Sequence, residues 1–210
     1  MNSVIAVVDY GMGNLRSVAK AVEHVVNKQT RVLISDDAEQ IRGADRVIVP
    51  GQGAAKDCMT QLAAHGLTDA VLESLENKPF LGICMGLQLL LTGSEENAGT
   101  TCLGVYPGSV KAFPDTDLKV PHMGWNNVHQ LQSHALFEHI QQDARFYFVH
   151  SYYVEPADKK LIAASCGYGL EFCAAIAKEN VFACQFHPEK SAADGLQLLE
   201  NFTQWNGSLD

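Results

Sequence analysis

Short apolar runs alternate with amphipathic segments along the first half of the chain. The runs are rich in valine and isoleucine and are bounded by turn residues, which predicts buried β-strands. From Leu15 to Val26, apolar residues recur three and four positions apart, as on the packed face of a helix. Because the strands are apolar throughout and helices separate them, we expect a parallel sheet covered on both faces. The predicted strands are Val4–Val8, Arg31–Ile34, Arg46–Val49 and Phe80–Cys84, and the further helices are Ala38–Arg42, 56–77 with a break at Gly66, and Met85–Leu91.

The second half of the chain is richer in strands and turns. The expected fold is therefore α/β, a three-layer sandwich whose mainly parallel sheet becomes mixed in the C-terminal half. No repeat, linker or low-complexity stretch divides the sequence, so we expect a single domain over residues 1–210. The predicted strands are Gly104–Phe113, Asn126–Leu131, Arg145–Val154, Leu161–Ser165, Phe172–Ala177 and Val181–Phe186, and the helices are Ala135–Ile140 and Ala192–Trp205.

Composition and charge narrow the range of possible functions. With 47% hydrophobic and 19% charged residues, the chain has the composition of a soluble globular protein. Acidic residues number 24 against 15 basic ones, and the net charge of −9 argues against binding to nucleic acid or anionic membranes. The start of the chain lacks the basic segment of a signal peptide, and its apolar run is too short to span a bilayer. We therefore expect a cytoplasmic protein whose six cysteines are reduced.

One of the six cysteines differs from the others in its surroundings. Cys84 lies between a predicted strand and a predicted helix in Gly82-Ile83-Cys84-Met85-Gly86. The two glycines allow a tight turn that presents the central side chain above the sheet edge. The first helical amides, including that of Met85, would then suit an oxyanion, and the helix dipole would favour the thiolate. The alternative is a buried cysteine between two packing glycines.

A cysteine nucleophile needs a base, and the base needs a group that orients it. Among eight histidines, His187 follows the apolar run Val181–Phe186 and begins His187-Pro188-Glu189. Proline ends strand pairing there, and the carboxylate of Glu189 can fold back to accept from the imidazole. Taken alone, this tripeptide is more often a solvated loop. Together with a cysteine at a strand-to-helix turn, it predicts a catalytic pair.

Two further strand ends carry residues suited to a ligand. Pro50-Gly51-Gln52-Gly53 should end at the same sheet edge as Cys84, and its glycines let backbone N–H groups approach a ligand. His150-Ser151-Tyr152 ends an aromatic strand and offers a hydroxyl and a phenol. Gln88 lies one helical turn after Cys84 on the same face. The simpler interpretations are a plain turn for the first segment and a packed strand end for the second.

Together these motifs resemble the class I glutamine amidotransferases, which combine Gly-x-Cys-x-Gly with a distant His-Pro-Glu and a Pro-Gly-x-Gly loop. Four blocks, spread over nearly the whole chain, are similar to one branch of this family, the glutaminases that serve a cyclase of histidine biosynthesis. Gln52 departs from the apolar residue common at its position in that branch. The blocks are Asp9–Val18, Pro121–Asn126, Phe146–Tyr152 and His187–Ser191.

The resemblance implies that the protein hydrolyses L-glutamine to glutamate and ammonia without a cofactor or a metal. Cys84 would be the nucleophile, His187 the base and Glu189 the residue that orients the base. Backbone amides of Gln52 and Met85 would stabilise the oxyanion. The implied glutamine contacts are Gly53, Gln88, Glu96, Ser151 and Tyr152, with Glu96 assigned to the α-amino group.

The same resemblance implies a heterodimer in which the ammonia passes to a cyclase subunit of TIM-barrel fold. Exposed aromatic and basic side chains are the usual composition of an interface centre. Core packing is the alternative for the aromatic residues. The expected interface residues are Asn14, Arg16, Trp125, Tyr147 and Lys190.

Other functions fit parts of the sequence. Gly11-Met12-Gly13 after a strand is typical of a dinucleotide site, but Arg16 stands where the third glycine would be. A non-catalytic subunit would not need a complete triad. A stand-alone cysteine hydrolase, or the glutaminase of another class I amidotransferase, leaves Pro121–Asn126 unexplained. A zinc site lacks the Cys-x-x-Cys and His-Glu-x-x-His spacings.

Overall fold

Helices and strands alternate in the first half of the molecule, and strands dominate the second half. The computed structural model describes residues 3–115 and 117–208. The helices in these residues are α1 (Leu15–Val25), α2 (Ala38–Arg42), α3 (Ala55–Ala64), α4 (Thr68–Asn77), α5 (Met85–Gln88) and α6 (Ala192–Gln204). The strands are β1 (Ser3–Val8), β2 (Thr30–Ser35), β3 (Arg46–Gly51), β4 (Phe80–Cys84), β5 (Leu91–Ser94), β6 (Thr100–Thr101), β7 (Tyr106–Ala112), β8 (His122–Asn127), β9 (His129–Gln130), β10 (Arg145–His150), β11 (Tyr152–Pro156), β12 (Ile162–Tyr168), β13 (Leu170–Lys178) and β14 (Val181–Cys184).

The central sheet has helices on both faces, which confirms the three-layer sandwich. On β1, Ile5 and Val7 belong to one apolar cluster together with residues of α1 and α6. Ala6 and Val8 belong to a second cluster with residues of α2, α3 and α4. Successive strand residues point to opposite faces, so a strand that is apolar throughout needs cover on both sides.

The sheet is parallel on one side and mixed on the other. β2, β1, β3, β4 and β14 are neighbours and run parallel. β13 pairs antiparallel with β14, and β11 pairs antiparallel with β13 and β7. The order β2-β1-β3-β4-β14-β13-β11-β7-β5-β6 confirms a sheet that becomes mixed in the C-terminal half. Cys184 on β14 is level with Ile83 on β4, so these two strands end side by side.

Two predicted helices are wrong in length. The helix expected over Met85–Leu91 ends at Gln88, and Leu91 begins β5. Leu89, Leu90 and Leu91 are all buried, so this run has no polar face that distinguishes a helix from a buried strand. The helix expected over Ala135–Ile140 is a single 3-10 turn, Ala135–Phe137, because its backbone hydrogen bonds span three residues.

The strand predicted over Arg145–Val154 is two strands in two different sheets. β10 pairs only with β8 among the described strands, whereas β11 belongs to the central sheet. The chain changes sheets at Ser151, where both flanking segments are aromatic and half-buried and so look alike in sequence. β8 also begins four residues before the strand predicted at Asn126. β14 ends at Cys184, two residues before the predicted end at Phe186.

Candidate functional site

Cys84 lies at a sharp turn between β4 and α5 near the centre of the sheet. Its backbone has φ 55° and ψ −101°, a conformation that is rare for a residue with a side chain. Two glycines make the turn possible. A Cβ at Gly82 would lie 2.6 Å from the Gly86 carbonyl oxygen, and a Cβ at Gly86 would collide with the carbonyl oxygen of Val49. The glycines therefore bring β3, β4 and α5 into close contact, as their spacing predicts.

The helix after the turn is shorter than the sequence predicts. α5 has a single turn, so the helix dipole at Cys84 is weaker than expected for a helix over Met85–Leu91. The amide of Met85 is at the first helical position and has no intrahelical partner. Met85 lines a cavity beside the cysteine.

The cavity beside Cys84 has a volume of about 440 Å³, which suits a small polar ligand. Gly51 is level with Cys84 in the β3–β4 pairing, so the Pro-Gly-x-Gly loop reaches the cavity as expected. The cavity brings together all the expected glutamine contacts and one expected interface residue. The lining consists of Gln52, Gly53, Cys84, Met85, Gln88, Glu96, Ser151, Tyr152 and Lys190, together with Pro121, Val149 and His150, which were not expected as contacts.

His187 and Glu189 form a buried pair close to Cys84. His187 Nδ1 lies 2.8 Å from Glu189 Oε1, so the carboxylate holds a proton on Nδ1. His187 Nε2 makes no hydrogen bond of ordinary geometry in the described chain. Burial lowers the pKa of His187, but the neighbouring Cys84 and Glu189 outweigh burial and raise this pKa to about 10. The imidazole thus has one nitrogen fixed by a carboxylate and the other free to exchange a proton near the thiol.

The backbone of His187 is held by Ser191 and β10. The His187 N–H donates to the Tyr147 carbonyl at 2.9 Å. Ser191 Oγ donates to the His187 carbonyl at 2.6 Å and accepts from the Tyr147 N–H at 3.0 Å. Both main-chain groups of His187 are therefore tied to Tyr147, one directly and one through Ser191. We call these three hydrogen bonds the Ser191 clamp.

Gln185 is a residue of the site that the sequence analysis missed. It is fully buried, and its Nε2 is a donor 3.6 Å from Cys84 Sγ. Its Oε1 accepts from Gln88 Nε2 at 3.0 Å, and Gln88 Nε2 also donates to the Tyr152 carbonyl at 3.1 Å. Because a carbonyl can only accept, Tyr152 fixes the orientation of both side-chain amides. The Gln185 amide thus presents an N–H to the sulfur of Cys84. The missed signal was a polar residue inside the apolar run before His187.

Glu96 is held in place by the start of α3. Glu96 Oε2 accepts from the Ala55 N–H at 2.7 Å, at a helix end that has no side-chain cap of its own. The carboxylate is therefore oriented by a backbone donor, and a negative charge at this position is favoured by the helix dipole. Since Glu96 also lines the cavity, it supplies an anionic wall suited to an amino group.

Two buried side chains hold the carbonyls of the Pro-Gly-x-Gly loop. Tyr10 Oη donates to the Pro50 carbonyl at 2.9 Å, and the Cys58 thiol contacts the Gln52 carbonyl at 3.5 Å. The Gly11–Gly13 segment packs beside this loop, since a Cβ at Gly13 would lie 3.3 Å from Gly51 Cα. Gly13, the second glycine of the incomplete dinucleotide pattern, thus serves close packing against the site.

Three of the five expected interface residues lie together beside the cavity. Trp125 and Tyr147 are paired across β8 and β10, with ring centroids 6.3 Å apart. Lys190 Nζ lies 5.9 Å from the centroid of the Tyr147 ring. Trp125 is 44% exposed, so core packing is not its role. Asn14 caps α1 and Arg16 is exposed on that helix, which contacts the turn 188–190.

Three comparisons with known proteins agree with one another. Residues 6–205 match the family model described as Glutamine amidotransferase class-I. A relative from Hydrogenovibrio crunogenus, 55% identical over 97% of each chain, is named imidazole glycerol phosphate synthase subunit HisH. A relative from Acinetobacter baylyi has the same name and is 55% identical over 96% of this chain and 98% of its own. A chain of PurLQS from Thermotoga maritima superimposes with a TM-score of 0.70 at 17% identity, covers 97% of this chain and 99% of its own, and shares the fold.

Gly86→Ala tests the close contact at the turn. We expect the free energy of unfolding to fall by about 3 kcal/mol, because the added methyl group meets the backbone carbonyl of Val49. Urea unfolding measures the change. The matched control is Gly167→Ala, where a Cβ would meet no atom within 4 Å, and it should change stability by less than about 0.5 kcal/mol. Equal effects of the two substitutions would contradict the packing argument.

Gln185→Glu tests the donor at Cys84. The two side chains have the same shape, but a carboxylate in place of the amide disfavours a neighbouring thiolate. We expect iodoacetamide to alkylate Cys84 about tenfold more slowly at neutral pH. Peptide mass spectrometry separates this thiol from the five others, and the exposed Gln141→Glu provides the same charge change elsewhere. An unchanged alkylation rate in Gln185→Glu would show that the amide does not act on the thiol.

Proposed function

The chain belongs to the class I glutamine amidotransferase family, and on that premise we propose that Cys84, His187 and Glu189 hydrolyse L-glutamine to glutamate and ammonia. Its function is that of the glutaminase subunit of imidazole glycerol phosphate synthase in histidine biosynthesis, since relatives so named are 55% identical over nearly their full length. The observation that carries the catalytic proposal is a cysteine at a tight turn, open to a cavity and next to a buried histidine–carboxylate pair.

The proposed reaction is covalent catalysis by the cysteine. His187 Nε2 first takes the thiol proton, and the Cys84 sulfur then attacks the side-chain carbonyl carbon of glutamine. Glu189 keeps the ring oriented and stabilises its charged form, which agrees with the raised pKa of His187. The imidazolium then protonates the amide nitrogen, which leaves as ammonia. Water hydrolyses the thioester as His187 accepts its proton. Backbone amides of Met85 and Gln52 stabilise the oxyanion of both tetrahedral intermediates.

The cavity wall supports the assignment of glutamine as the ligand. Both N–H groups of Gln88 are used within the protein, which leaves its Oε1 for an N–H donor of the substrate. Glu96 is oriented by α3 and receives the α-amino group. Ser151, Tyr152 and Gly53 complete the contacts around the substrate.

We propose that ammonia passes to a cyclase subunit, HisF, a TIM barrel that uses it to make imidazole glycerol phosphate and AICAR. The relatives are named as subunits, which implies a partner. We place this partner on the outer face of the β8–β10 sheet, because Met123 and Trp125 on that face are 60% and 44% exposed. Lys190 both stacks on Tyr147 and lines the cavity, so a partner bound there would cover the cavity mouth and confine the ammonia. Asn14 and Arg16 would extend this heterodimer interface along α1.

The cytoplasm is the proposed location of the protein, and residues 1–210 are proposed to form a single domain. In the part of the chain that the structure describes, no helix has the length and apolar character needed to cross a membrane. All six cysteines are free and buried, which suits a reducing compartment. Both apolar clusters lie against the same central sheet, which supports one domain.

Cys84→Ala is the direct test of the nucleophile. In a complex with the cyclase, we expect glutamine-dependent product formation to be abolished, because no thioester can form. Turnover with an ammonium salt should persist, since the cyclase then receives ammonia from solution. Cys166→Ala, which removes a buried thiol of β12, is the control and should keep both activities. Loss of both activities in Cys84→Ala would instead assign the residue to the fold or the interface.

His187→Ala tests the base. Removal of the proton acceptor should lower kcat of the glutaminase reaction by roughly 10³-fold or more, as for other triad bases. Steady-state glutamate release in the complex measures it. The exposed His129→Ala, which removes a hydrogen bond with Asp143, should leave the rate within about twofold. A comparably small fall in His187→Ala would remove this residue from the mechanism.

A further inference from the structure

A continuous chain of hydrogen bonds joins β8 to the cavity wall. Asn126 Nδ2 lies 3.2 Å from His122 Nε2, and His122 Nδ1 lies 3.0 Å from His150 Nε2. His150 Nδ1 lies 2.8 Å from the Tyr152 carbonyl oxygen. Both histidines are buried, and His150 lines the cavity. The proposed reaction uses neither imidazole, so their arrangement calls for a different role.

Asn126, at the β8 end of this series of hydrogen bonds, fixes the direction of the bonds. Asn126 Oδ1 accepts from the Asn127 N–H at 2.8 Å, and Asn126 Nδ2 donates to the Gly167 carbonyl at 2.9 Å. A flipped amide would lose both bonds, so Asn126 must present an N–H to His122. His122 Nε2 is therefore unprotonated. The ring proton of His122 is on Nδ1 and is donated to His150.

The end at the cavity requires the same direction independently. The Tyr152 carbonyl can only accept, so His150 Nδ1 must carry a proton. In a neutral ring His150 Nε2 is then the acceptor, which again makes His122 Nδ1 the donor. Burial lowers the pKa of His122 to about 4 and that of His150 to about 3, which keeps both rings neutral.

The Tyr152 carbonyl, where this series of hydrogen bonds ends, also orients Gln88, a proposed substrate contact. Tyr152 accepts from Gln88 Nε2 as well as from His150. The His122 ring is stacked between Tyr168 and Phe148, with centroid distances of 4.0 and 4.9 Å, which prevents it from turning. The position of the Tyr152 carbonyl, and with it the direction of the Gln88 amide, thus depends on a rigid ring outside the cavity.

We infer that Asn126, His122 and His150 form a neutral hydrogen-bond relay of fixed direction, and that His150 is a positioning residue for the glutamine site. The inference rests on the proposed glutaminase function for its second half and on geometry alone for its first. His150 holds the Tyr152 carbonyl so that Gln88 presents Oε1 to an N–H donor of the ligand. Its role is in ground-state binding of glutamine, apart from the bond-making steps at Cys84.

The direction of the relay can be observed without any activity. In long-range ¹H–¹⁵N spectra of the chain with ¹⁵N-labelled histidine, His122 and His150 should both be neutral with the proton on Nδ1. His134 is an internal reference of the opposite kind, because its Nδ1 accepts from the Leu136 N–H and its proton must be on Nε2. Single His→Asn variants assign the signals. A proton on Nε2, or a charged ring at neutral pH, in either His122 or His150 would overturn the relay.

Two substitutions at position 150 test the positioning role. The amide nitrogen of asparagine takes the place of Nδ1, so His150→Asn keeps a donor for the Tyr152 carbonyl. Glutamine places its amide near Nε2, so His150→Gln loses that donor. In the complex with the cyclase, we expect KM for glutamine to rise about tenfold in His150→Gln and about twofold in His150→Asn, with kcat changed less than KM in both.

The outcomes separate the two proposals. Equal KM values for the two variants, or a loss confined to kcat, would overturn the positioning role. A wild-type protein without glutaminase activity would overturn the proposed function while leaving the histidine tautomers as they are. If His150→Gln fails to fold, the tautomers decide on the relay, and KM in His122→Gln, which removes the donor to His150, decides on positioning. An unchanged KM there would contradict it.

Discussion

The contact between Gly86 and the Val49 carbonyl is the constraint on which the rest of the site depends. It allows α5 to lie against β3, and this position forces the chain at Cys84 into a left-handed backbone conformation. The thiol is then presented at the edge where β3 and β14 also end. The oxyanion loop follows β3 and the histidine follows β14, so a single close approach of backbones assembles groups from three parts of the sequence.

The features that the sequence predicted well are those set by local chemistry. Glycine spacing around Cys84, and a proline between His187 and Glu189, restrict the backbone whatever lies nearby. Apolar strands separated by helices also predict a covered parallel sheet. The predictions failed where contacts with residues distant in the sequence determine the local structure. Leu89–Leu91 is equally suited to helix and buried strand, and the change of sheets at Ser151 depends on partners far away in the chain.

Gln185 illustrates the same limit within the site. Its amide acts on a sulfur atom 101 residues away, and its orientation comes from Gln88 and Tyr152 on other elements. No local pattern reports such a role. A polar residue inside an apolar run is the one available signal, because burial of an amide is costly unless both of its ends are paired.

Within the site, the supporting polar groups are paired and the reacting pair is not. The amides of Gln88 and Gln185 and the rings of His122 and His150 are bonded within the protein. By contrast, His187 Nε2 and Glu189 Oε2 are buried and make no hydrogen bond of ordinary geometry in the described chain. An unpaired buried group lowers stability, and here the cost falls on the pair whose free nitrogen must exchange a proton.

The Ser191 clamp gives the β10 strand a mechanical hold on the base. It is made from main-chain groups of Tyr147 and His187 with one serine hydroxyl, so a different side chain at position 147 would leave it intact. A displacement of β10 along its own axis, however, would carry the imidazole with it. The outer aromatic face of β10 is therefore mechanically coupled to the imidazole that accepts the proton. A molecule that binds Tyr147 and shifts its backbone can therefore change the orientation of the His187 ring without touching it.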